Sequence, residues 1–416
     1  MVGLGMGLGL GLGQPVVRRR EGPDHSTSVL KAWVEEIRLQ NFRAFDNARL
    51  GIDELTMLVG RNGAGKSSLL DAVDFIREAV TDSLPNALDR RDGLDDVLRS
   101  GGKRGDPLGL AAVMRVELPG RTVRILYGFR LQAEVDGTPV DIEERLLVEG
   151  SPNLGFHRLD ANLVSDVPLK AVPPLNRLVL PLIAGEQLWK LALETLAGMR
   201  AYEIGPQAVA RGAPIQSSTS LVRHGDNAGD VLEAIRIYEP IHRAIVAPLK
   251  VVTPGIVDVQ TQALAGRRLL RFFQEAHGVH EFTASQMSQG TLRALGILLA
   301  LHQSPQPSLV LIDEIEDSIH PRALEALLEA VEEASERFPV VVTTHSPEVL
   351  AKKQALPERI RILQWEEGVS RLYRLSRGTI ESVDPVTSVG DLLRFNGLWP
   401  DDEPETFPGD LLEFAP

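Results

Sequence analysis

The stretch Gly60-Arg61-Asn62-Gly63-Ala64-Gly65-Lys66-Ser67 decides the fold of this chain, because it fits the pattern G-x-x-x-x-G-K-[ST] at every constrained position. Residues 55–59 before it read as a short buried strand, and residues 68–76 after it begin a helix with apolar side chains at helical spacing. A strand, a glycine loop and a helix in this order form a phosphate-binding loop, or P-loop. The sequence therefore predicts a site for a nucleoside triphosphate.

The residue types of the loop match this chemistry. Glycines let consecutive backbone N–H groups curl around a phosphate at a helix N-terminus, where unpaired donors and the helix dipole favour an anion. Lys66 can reach the β- and γ-phosphates, and the Ser67 hydroxyl can ligate Mg²⁺. The predicted nucleotide contacts in this stretch are Gly60, Asn62, Gly63, Gly65, Lys66, Ser67 and Ser68.

A second stretch, Ser308-Leu309-Val310-Leu311-Ile312-Asp313-Glu314, is an apolar run that ends in two carboxylates. Such a run is typical of a central parallel strand whose carboxyl end opens onto a ligand. In a chain with a P-loop it is a Walker B pattern. We expect Asp313 to hold Mg²⁺ together with Ser67, and Glu314 to orient or deprotonate the attacking water.

The next buried run, residues 340–344, ends at His345. A histidine at that strand end can hydrogen-bond a γ-phosphate. A single histidine is more often structural, but its position one crossover after the Walker B strand favours a role in the site. The predicted catalytic residues are Lys66, Glu314 and His345.

Two aromatic residues, Phe42 and Phe45, precede the P-loop strand. They could lie near an adenine ring, with Arg43 near phosphate, but two aromatics three positions apart more often belong to the core.

Composition excludes some classes of protein. The 416 residues allow two or three domains, or one large α/β domain with an insertion. A net charge of −13 argues against a general nucleic-acid-coating protein, and the lack of cysteine excludes disulfides and thiolate metal sites. The Leu- and Gly-rich residues 1–13 have no basic residue before them, as a signal peptide would, and no stretch reaches the ~20 apolar residues of a spanning helix. We therefore expect a cytoplasmic protein without a membrane partner.

Together these motifs resemble the ABC-type ATPase superfamily. The stretch Ser285-Gln286-Met287-Ser288-Gln289-Gly290-Thr291 looks like its signature loop, Glu316-Asp317-Ser318-Ile319-His320-Pro321 looks like its D-loop, and His345 looks like its switch histidine. The opening Asn41-Phe42-Arg43 and the Ser-Gln-Gly-Thr form of the signature are similar to the RecF/OLD/SMC-type predicted ATPases rather than to transporter subunits. The resemblance covers roughly residues 30–396.

The resemblance implies an α/β P-loop fold of ABC-ATPase type, with a mixed sheet flanked by helices and a large β plus helical insertion between Walker A and the signature loop. It also implies ATP and Mg²⁺ as cofactors, and a homodimer formed head to tail on ATP binding. In that dimer Ser288 and Gly290 of one subunit face the nucleotide on the P-loop of the other. The predicted segments are a disordered low-complexity extension (1–29), the two parts of the ATPase domain (30–80 and 284–396), the insertion (81–283) and an acidic tail (397–416).

The sequence departs from the family pattern in two places. No convincing Q-loop glutamine lies between the P-loop and the signature; Gln132 is a weak candidate that reads as a surface residue. The residues after 360 are too few for the nuclease domain of OLD-type proteins, and residues 401–405 read as a solvated tail. If nucleic acid is cut, we expect a partner protein to cut it.

The resulting hypothesis is an ATP-binding and ATP-hydrolysing switch that acts in DNA repair or in defence against foreign DNA. Its candidate partners are DNA and a separate effector protein such as a nuclease. The alternative is the nucleotide-binding subunit of a membrane transporter, against which the long insertion and the unclear Q-loop both count. A P-loop kinase or GTPase would leave residues 288–291 unexplained.

Overall fold

The computed structural model describes residues 31–414, apart from 103–104, 134–138, 167–173, 175, 184–186, 217, 385, 396 and 408. The extension predicted at residues 1–29 lies outside this described part. The strands are β1 (Lys31–Phe42), β2 (Phe45–Gly51), β3 (Leu55–Gly60), β4 (Leu108–Leu118), β5 (Arg121–Ala133), β6 (Pro139–Val148), β7 (Ser151–Leu159), β8 (Asn162–Ser165), β9 (Met199–Tyr202), β10 (Ala213–Pro214), β11 (Ile256–Leu264), β12 (Arg267–Glu275), β13 (Val279–Thr283), β14 (Leu309–Ile312), β15 (Val340–Thr344), β16 (Ile360–Glu366) and β17 (Val369–Arg374).

The helices are α1 (Lys66–Thr81), α2 (Leu84–Asp89), α3 (Leu94–Val97), α4 (Leu180–Ile183), α5 (Gln187–Ala197), α6 (Pro206–Arg211), α7 (Ala228–Ile235), α8 (Glu239–Val252), α9 (Gln289–His302), α10 (Pro321–Ser335), α11 (Pro347–Leu350), α12 (Arg377–Ser382) and α13 (Val389–Arg394). Short 3₁₀ turns lie at Ala284–Gln286 and Pro357–Arg359. None of the helices in the described ranges combines the length and the hydropathy that crossing a bilayer requires.

A six-stranded sheet carries the predicted motifs. Its strand order is β17-β16-β3-β15-β14-β9, and all neighbouring strands are parallel except the edge pair β16 and β17. Strands β14 and β15 are buried along their whole length, which explains why both read as continuous apolar runs. The predicted mixed α/β sheet is therefore confirmed.

The edge strand β9 was not predicted. The apolar spacing of residues 181–245 indicates helices, but Met199–Tyr202 pairs in parallel with Leu309–Ile312 of β14. Four residues are too few to show a strand period of their own, so only pairing with β14 defines this strand. The parallel sheet thus takes one strand from the region that the sequence assigns to the insertion.

The second sheet is antiparallel throughout, in the order β2-β1-β4-β5-β6-β7-β8. The meander visible in the sequence after the P-loop helix continues the sheet that β1 and β2 open, because β4 pairs with β1. A third, smaller antiparallel sheet joins β11 to β12, and β10 and β13 also pair with β12.

Helix α1 lies between the two large sheets. Its Leu70 and Phe75 belong to the same core cluster as Tyr127 of the antiparallel sheet and Leu58 and Leu311 of the parallel sheet. Neighbouring residues of β3 and β14 point to the opposite face, into a second core formed with α8, α9 and α10. The parallel sheet therefore separates two hydrophobic cores.

The aromatic residues before the P-loop belong to the first core. Of the two interpretations given above, a core position rather than a position near an adenine ring is therefore confirmed. Phe42 and Phe45 are both fully buried, and the ring of Phe42 lies 6.1 Å from that of Phe75. Arg43 pairs with Asp71 of α1, with its Nε 2.5 Å from a carboxylate oxygen.

The prediction of a solvated acidic tail is wrong for Glu405 and for the apolar residues after it. Residues 401–403 are exposed, as predicted. Glu405, however, lies between Arg361 at 3.1 Å and Arg374 at 2.9 Å, with its side chain only 11% exposed. The buried side chains beyond it are Phe407, Leu411 and Leu412. Three apolar residues at irregular spacing give no periodic signal, so the sequence could not indicate that this segment packs onto a sheet.

A buried carboxylate, Glu144 on β6, fixes the point where the chain leaves the antiparallel sheet for α4. It accepts hydrogen bonds from the Tyr127 hydroxyl at 2.9 Å and from the N–H groups of Val179 at 2.5 Å and Leu180 at 3.0 Å. Burial raises the pKa of Glu144 to about 7, although these donors work in the opposite direction.

This raised pKa makes stability depend on pH. Between the ordinary value of 4.5 and about 7 the folded chain binds more protons at Glu144 than the unfolded chain does. The contribution of Glu144 to the free energy of unfolding is therefore fully present below the ordinary value and is lost as the pH rises through about 7. The Glu144→Gln chain lacks this titration. Urea unfolding should therefore show that the free energy of unfolding of Glu144→Gln rises relative to that of the wild type between about pH 5 and about pH 8. A difference that stays constant over this range would contradict the raised pKa.

Candidate nucleotide-binding site

The P-loop leaves β3 at Gly60 and enters α1 at Lys66. Gly63 and Gly65 have φ angles of 80° and 106°, in the left-handed region where a side chain would be strained. A Cβ on Gly65 would also lie 2.5 Å from Oγ of Ser370 on β17. The turn therefore requires glycine at both positions, and close packing against β17 also requires it at Gly65.

Lys66 lies inside the loop and is only 6% exposed. Its Nζ donates to the carbonyl oxygens of Gly60 at 2.7 Å and Arg61 at 3.4 Å. These bonds hold the ammonium group at the mouth of the loop, where the first turn of α1 presents its N–H groups.

The Walker B residues share a pocket with the P-loop. Asp313 and Glu314 follow β14 and line a pocket of about 310 Å³ together with the start of α1. The P-loop side of its lining is Asn62, Gly63, Gly65, Lys66, Ser67 and Ser68, with Ala44. The structure thus brings together both predicted metal ligands, Ser67 and Asp313.

These ligands fit Mg²⁺ bound with a nucleotide rather than by protein alone. A hydroxyl and a carboxylate are hard oxygen donors, and Mg²⁺ in such sites takes its remaining ligands from phosphate oxygens and water. Within the described residues there is no cluster of three or more acidic or histidine side chains able to hold a metal ion. Ser67 and Asp313 would therefore hold the ion together with the phosphates.

Thr343, at the end of β15, positions both Walker B residues, and the sequence analysis missed it. Its hydroxyl donates to Asp313 Oδ1 at 2.5 Å and accepts a hydrogen bond from the Glu314 N–H at 2.8 Å. Thr343 is fully buried, so no water competes for these bonds. The only signal in the sequence was a pair of threonines ending an apolar strand.

Arg293 is a second missed residue, one turn into α9. It is 5% exposed, and its guanidinium donates to the carbonyl oxygens of Asp313 at 2.8 Å, Glu314 at 2.9 Å and Ile204 at 2.5 Å. Glu314 has a φ of 42°, a strained value for a residue with a side chain. Thr343 and Arg293 together hold it in that conformation.

His345 contacts the acidic residues that follow the Walker B strand. Its Nδ1 lies 3.2 Å from an oxygen of Glu316 and 3.7 Å from one of Glu314, and its backbone N–H donates to Glu316 at 2.9 Å. It also lines a second pocket, of about 750 Å³, with Gly60 and Asn62. The structure therefore places His345 next to both the P-loop and Glu314.

The signature residues lie elsewhere. Ser288 is the N-cap of α9 and accepts from the Thr291 N–H at 3.1 Å. Ser288 is exposed, and neither it nor Gly290 lines either pocket at the P-loop. A Cβ on Gly290 would lie 2.4 Å from the Ser318 carbonyl oxygen, so the signature loop packs directly against the D-loop. Gln132 is exposed on β5 and lines neither pocket.

Comparison with known families supports an ATPase. Residues 206–351 match the family model described as "AAA domain, putative AbiEii toxin, Type IV TA system", and residues 33–95 match the one described as "AAA ATPase domain". The chain therefore carries ATPase-domain sequence in both stretches. No curated protein sequence matches it.

Solved structures give the architecture. An SMC head bound to the C-winged helix domain of ScpA is similar to this chain with 16% identity and a TM-score of 0.53, over 83% of this chain and 99% of that one. The Smc head of Pyrococcus furiosus with an extended coiled coil, bound to the C-terminal domain of ScpA, is similar with 13% identity and a TM-score of 0.53. The match covers 84% of this chain and 98% of that one. This chain has a P-loop ATPase fold of the SMC and ABC type. Membership of the RecF or OLD group, and the roles of the site residues, stay predictions.

The positioning role of Thr343 can be tested by measuring ATP turnover. Thr343→Val keeps the shape of the side chain but leaves Asp313 Oδ1 and the Glu314 N–H without their partner. We expect ATP turnover to fall roughly 10- to 100-fold, the usual effect of losing a hydrogen bond to a metal ligand, while nucleotide affinity changes little. Thr343→Ser keeps the hydroxyl and should retain most activity. Equal turnover by Thr343→Val and the wild type would remove Thr343 from this role.

The contact between the signature loop and the D-loop predicts that a side chain at Gly290 lowers the thermal stability of the chain. Gly290→Ala places a methyl group against the backbone carbonyl of Ser318, which cannot move cheaply, so the melting temperature should fall. Gly378→Ala on α12 is the matched control, because no atom lies within 4 Å of the added Cβ. Thermal unfolding of both chains gives the comparison, and an undiminished melting temperature for Gly290→Ala would show that the two loops are not held together.

Proposed function

We propose that this protein is an ATP-binding and ATP-hydrolysing switch that forms a head-to-tail dimer when it binds ATP and Mg²⁺. The proposal rests on the observation that the nucleotide pocket and the signature loop lie apart within one chain. The P-loop, Asp313 and Glu314 line one pocket, whereas the exposed N-terminus of α9 at Ser288 lies outside it. A second anion-binding terminus that faces no phosphate of its own chain is suited to the phosphate of another subunit.

The geometry of the pocket supports hydrolysis. The P-loop N–H groups and Lys66 bind the phosphates, and Ser67 and Asp313 would hold a Mg²⁺ ion, which would stabilise the negative charge that develops on the phosphate oxygens. Glu314, whose backbone is fixed by Thr343 and Arg293, orients the attacking water and accepts its proton.

The change between the dimer and separate subunits is the switch. The signature helix of one subunit binds the γ-phosphate held by the other, so ATP joins the subunits and its hydrolysis releases them. Within one chain, Arg293 links the signature helix to the backbone of Asp313 and Glu314. Engagement of α9 by a partner's nucleotide is thereby communicated to the catalytic carboxylate of the same chain.

The biological role proposed is DNA repair or defence against foreign DNA, with a separate effector. The resemblance of residues 41–43 and 285–291 to RecF/OLD/SMC-type ATPases supports a DNA-linked role. The family model named for a toxin of a Type IV system supports defence, and the solved SMC heads bound to ScpA show the same fold carrying a protein partner. The net charge of −13 favours a local DNA contact or a protein partner over general DNA coating.

The first experiment measures molar mass by light scattering with and without ATP and Mg²⁺. Glu314→Gln keeps the pocket but removes the proton acceptor, so this chain should accumulate as a dimer in ATP. Lys66→Ala, the control, should bind no nucleotide and stay monomeric. Turnover is measured in parallel with and without double-stranded DNA, and stimulation by DNA would support the DNA-linked role.

The head-to-tail arrangement is tested by mixing two inactive chains. Lys66→Ala retains an intact signature loop, and Ser288→Arg retains an intact P-loop, so a mixed dimer contains one complete site. We expect each variant alone to be inactive and the mixture to regain up to about half of the wild-type turnover. A Glu314→Gln chain that stays monomeric in ATP, together with a mixture that regains nothing, would overturn the dimer and leave the P-loop chemistry standing.

A further inference from the structure

Phe407 and residues 409–414 lie on the outer face of the antiparallel sheet, on the side away from α1. The buried residues of this contact, Ala111, Phe407, Leu411 and Leu412, form a small cluster separate from the two main cores. In the described residues this segment has no helix or strand of its own. It is therefore held as a bound peptide is held, by side chains and by bonds to its carbonyl groups.

Two glycines of the sheet, which carry no side chain, each leave a space that a leucine side chain fills. We call each of these spaces a leucine seat. Gly109 on β4 and Gly128 on β5 lie in adjacent strands, with Ala111 directly opposite Gly128. A Cβ on Gly109 would lie 2.4 Å from a methyl group of Leu411, and one on Gly128 would lie 2.7 Å from a methyl group of Leu412. We call the surface formed by Gly109, Ala111 and Gly128 the sheet cradle.

Arginines surround the sheet cradle and match the acidic segment. Arg38 donates to the carbonyl oxygens of Leu411 at 3.0 Å and Glu413 at 2.6 Å. Arg130 pairs with Asp410 at 2.7 Å, and Arg145 pairs with Glu413 at 2.9 Å. The guanidinium of Arg124 lies 5.4 Å from the ring centre of Phe414. Charge and shape therefore select the pattern Asp-Leu-Leu-Glu-Phe.

The two ion pairs of this contact are weak enough to exchange. The carboxylates of Asp410 and Glu413 are 43% and 55% exposed, and ion pairs of that exposure stabilise little. The upstream anchor is separate, because Glu405 bonds through its backbone to Arg49 of β2 and Leu372 of β17. Release of residues 409–414 would therefore expose mainly Leu411 and Leu412 and break the bonds from Arg38, while the anchor at Glu405 stays in place.

We propose that the sheet cradle is a peptide-docking site that takes an acidic peptide with two adjacent leucines and a following aromatic residue from a partner protein, in exchange for the chain's own residues 410–414. The partner peptide places its leucines in the seats at Gly109 and Gly128 and its carboxylates on Arg130 and Arg145. The site is formed by the antiparallel sheet alone and does not depend on the ATP chemistry proposed above.

The test uses the full chain and a fluorescein-labelled peptide with the sequence of residues 405–414, whose binding is followed by fluorescence anisotropy. The chain's own segment competes at high effective concentration, so the wild type should bind the peptide weakly. Leu411→Ala/Leu412→Ala weakens that competitor and should bind at least about tenfold more tightly. Adding Gly109→Ala fills one seat and should reverse the gain, and a peptide with lysines in place of Asp410 and Glu413 should not bind.

Equal binding by all three chains, or none by any, would overturn the proposal. Hydrogen exchange on the wild type gives an independent measurement if the leucine variant does not fold. The amides of Leu411 and Leu412 should exchange much faster than those of β5, and equally slow exchange would make the segment a permanent part of the fold. A nucleotide-independent dimer of the wild type that Gly109→Ala abolishes would replace the partner with a second copy of this chain, and would overturn the proposal as stated.

Discussion

The parallel pairing of β15 with both β3 and β14 is the constraint on which the site depends. Parallel strands end at the same edge of a sheet, so the P-loop, the Walker B carboxylates and His345 must meet there although they are far apart in the chain. The hydroxyl of Thr343 then fixes their relative position, since it bonds to Asp313 and Glu314 across the gap between two strands. Without that register the same residues would be an unremarkable set of loop side chains.

The signature helix adds a second level of organisation. Ser288 caps α9 at its exposed end, and one turn later Arg293 donates to the carbonyl groups of Asp313 and Glu314. Gly290 lies against the D-loop at Ser318. One helix therefore links the exposed signature loop, the D-loop and the Walker B backbone, and buried bonds of this kind resist independent movement of the three.

The parts predicted from sequence are those written in contiguous residues. The P-loop, the apolar strands β14 and β15 and the signature stretch before α9 each show a local pattern, and the structure places Ser67, Lys66, Asp313 and Glu314 in one pocket. Thr343 and Arg293 were missed because their importance comes only from pairing between distant segments. Strand β9 and the packed residues after 404 were missed for the same reason, being too short to carry a period and defined by what they lie against.

The interleaving of the two large sheets has a consequence for synthesis. The antiparallel sheet is complete once the chain has reached Ser165, with α1 already available to cover its inner face. Strand β3, in contrast, is made early, but its neighbours β15 and β16 begin only at Val340 and Ile360. The antiparallel lobe can therefore fold on the ribosome while the nucleotide sheet waits for its last strands. During that interval both edges of β3 present unpaired N–H and C=O groups beside apolar side chains, which makes this strand a site at risk of aggregation in the nascent chain.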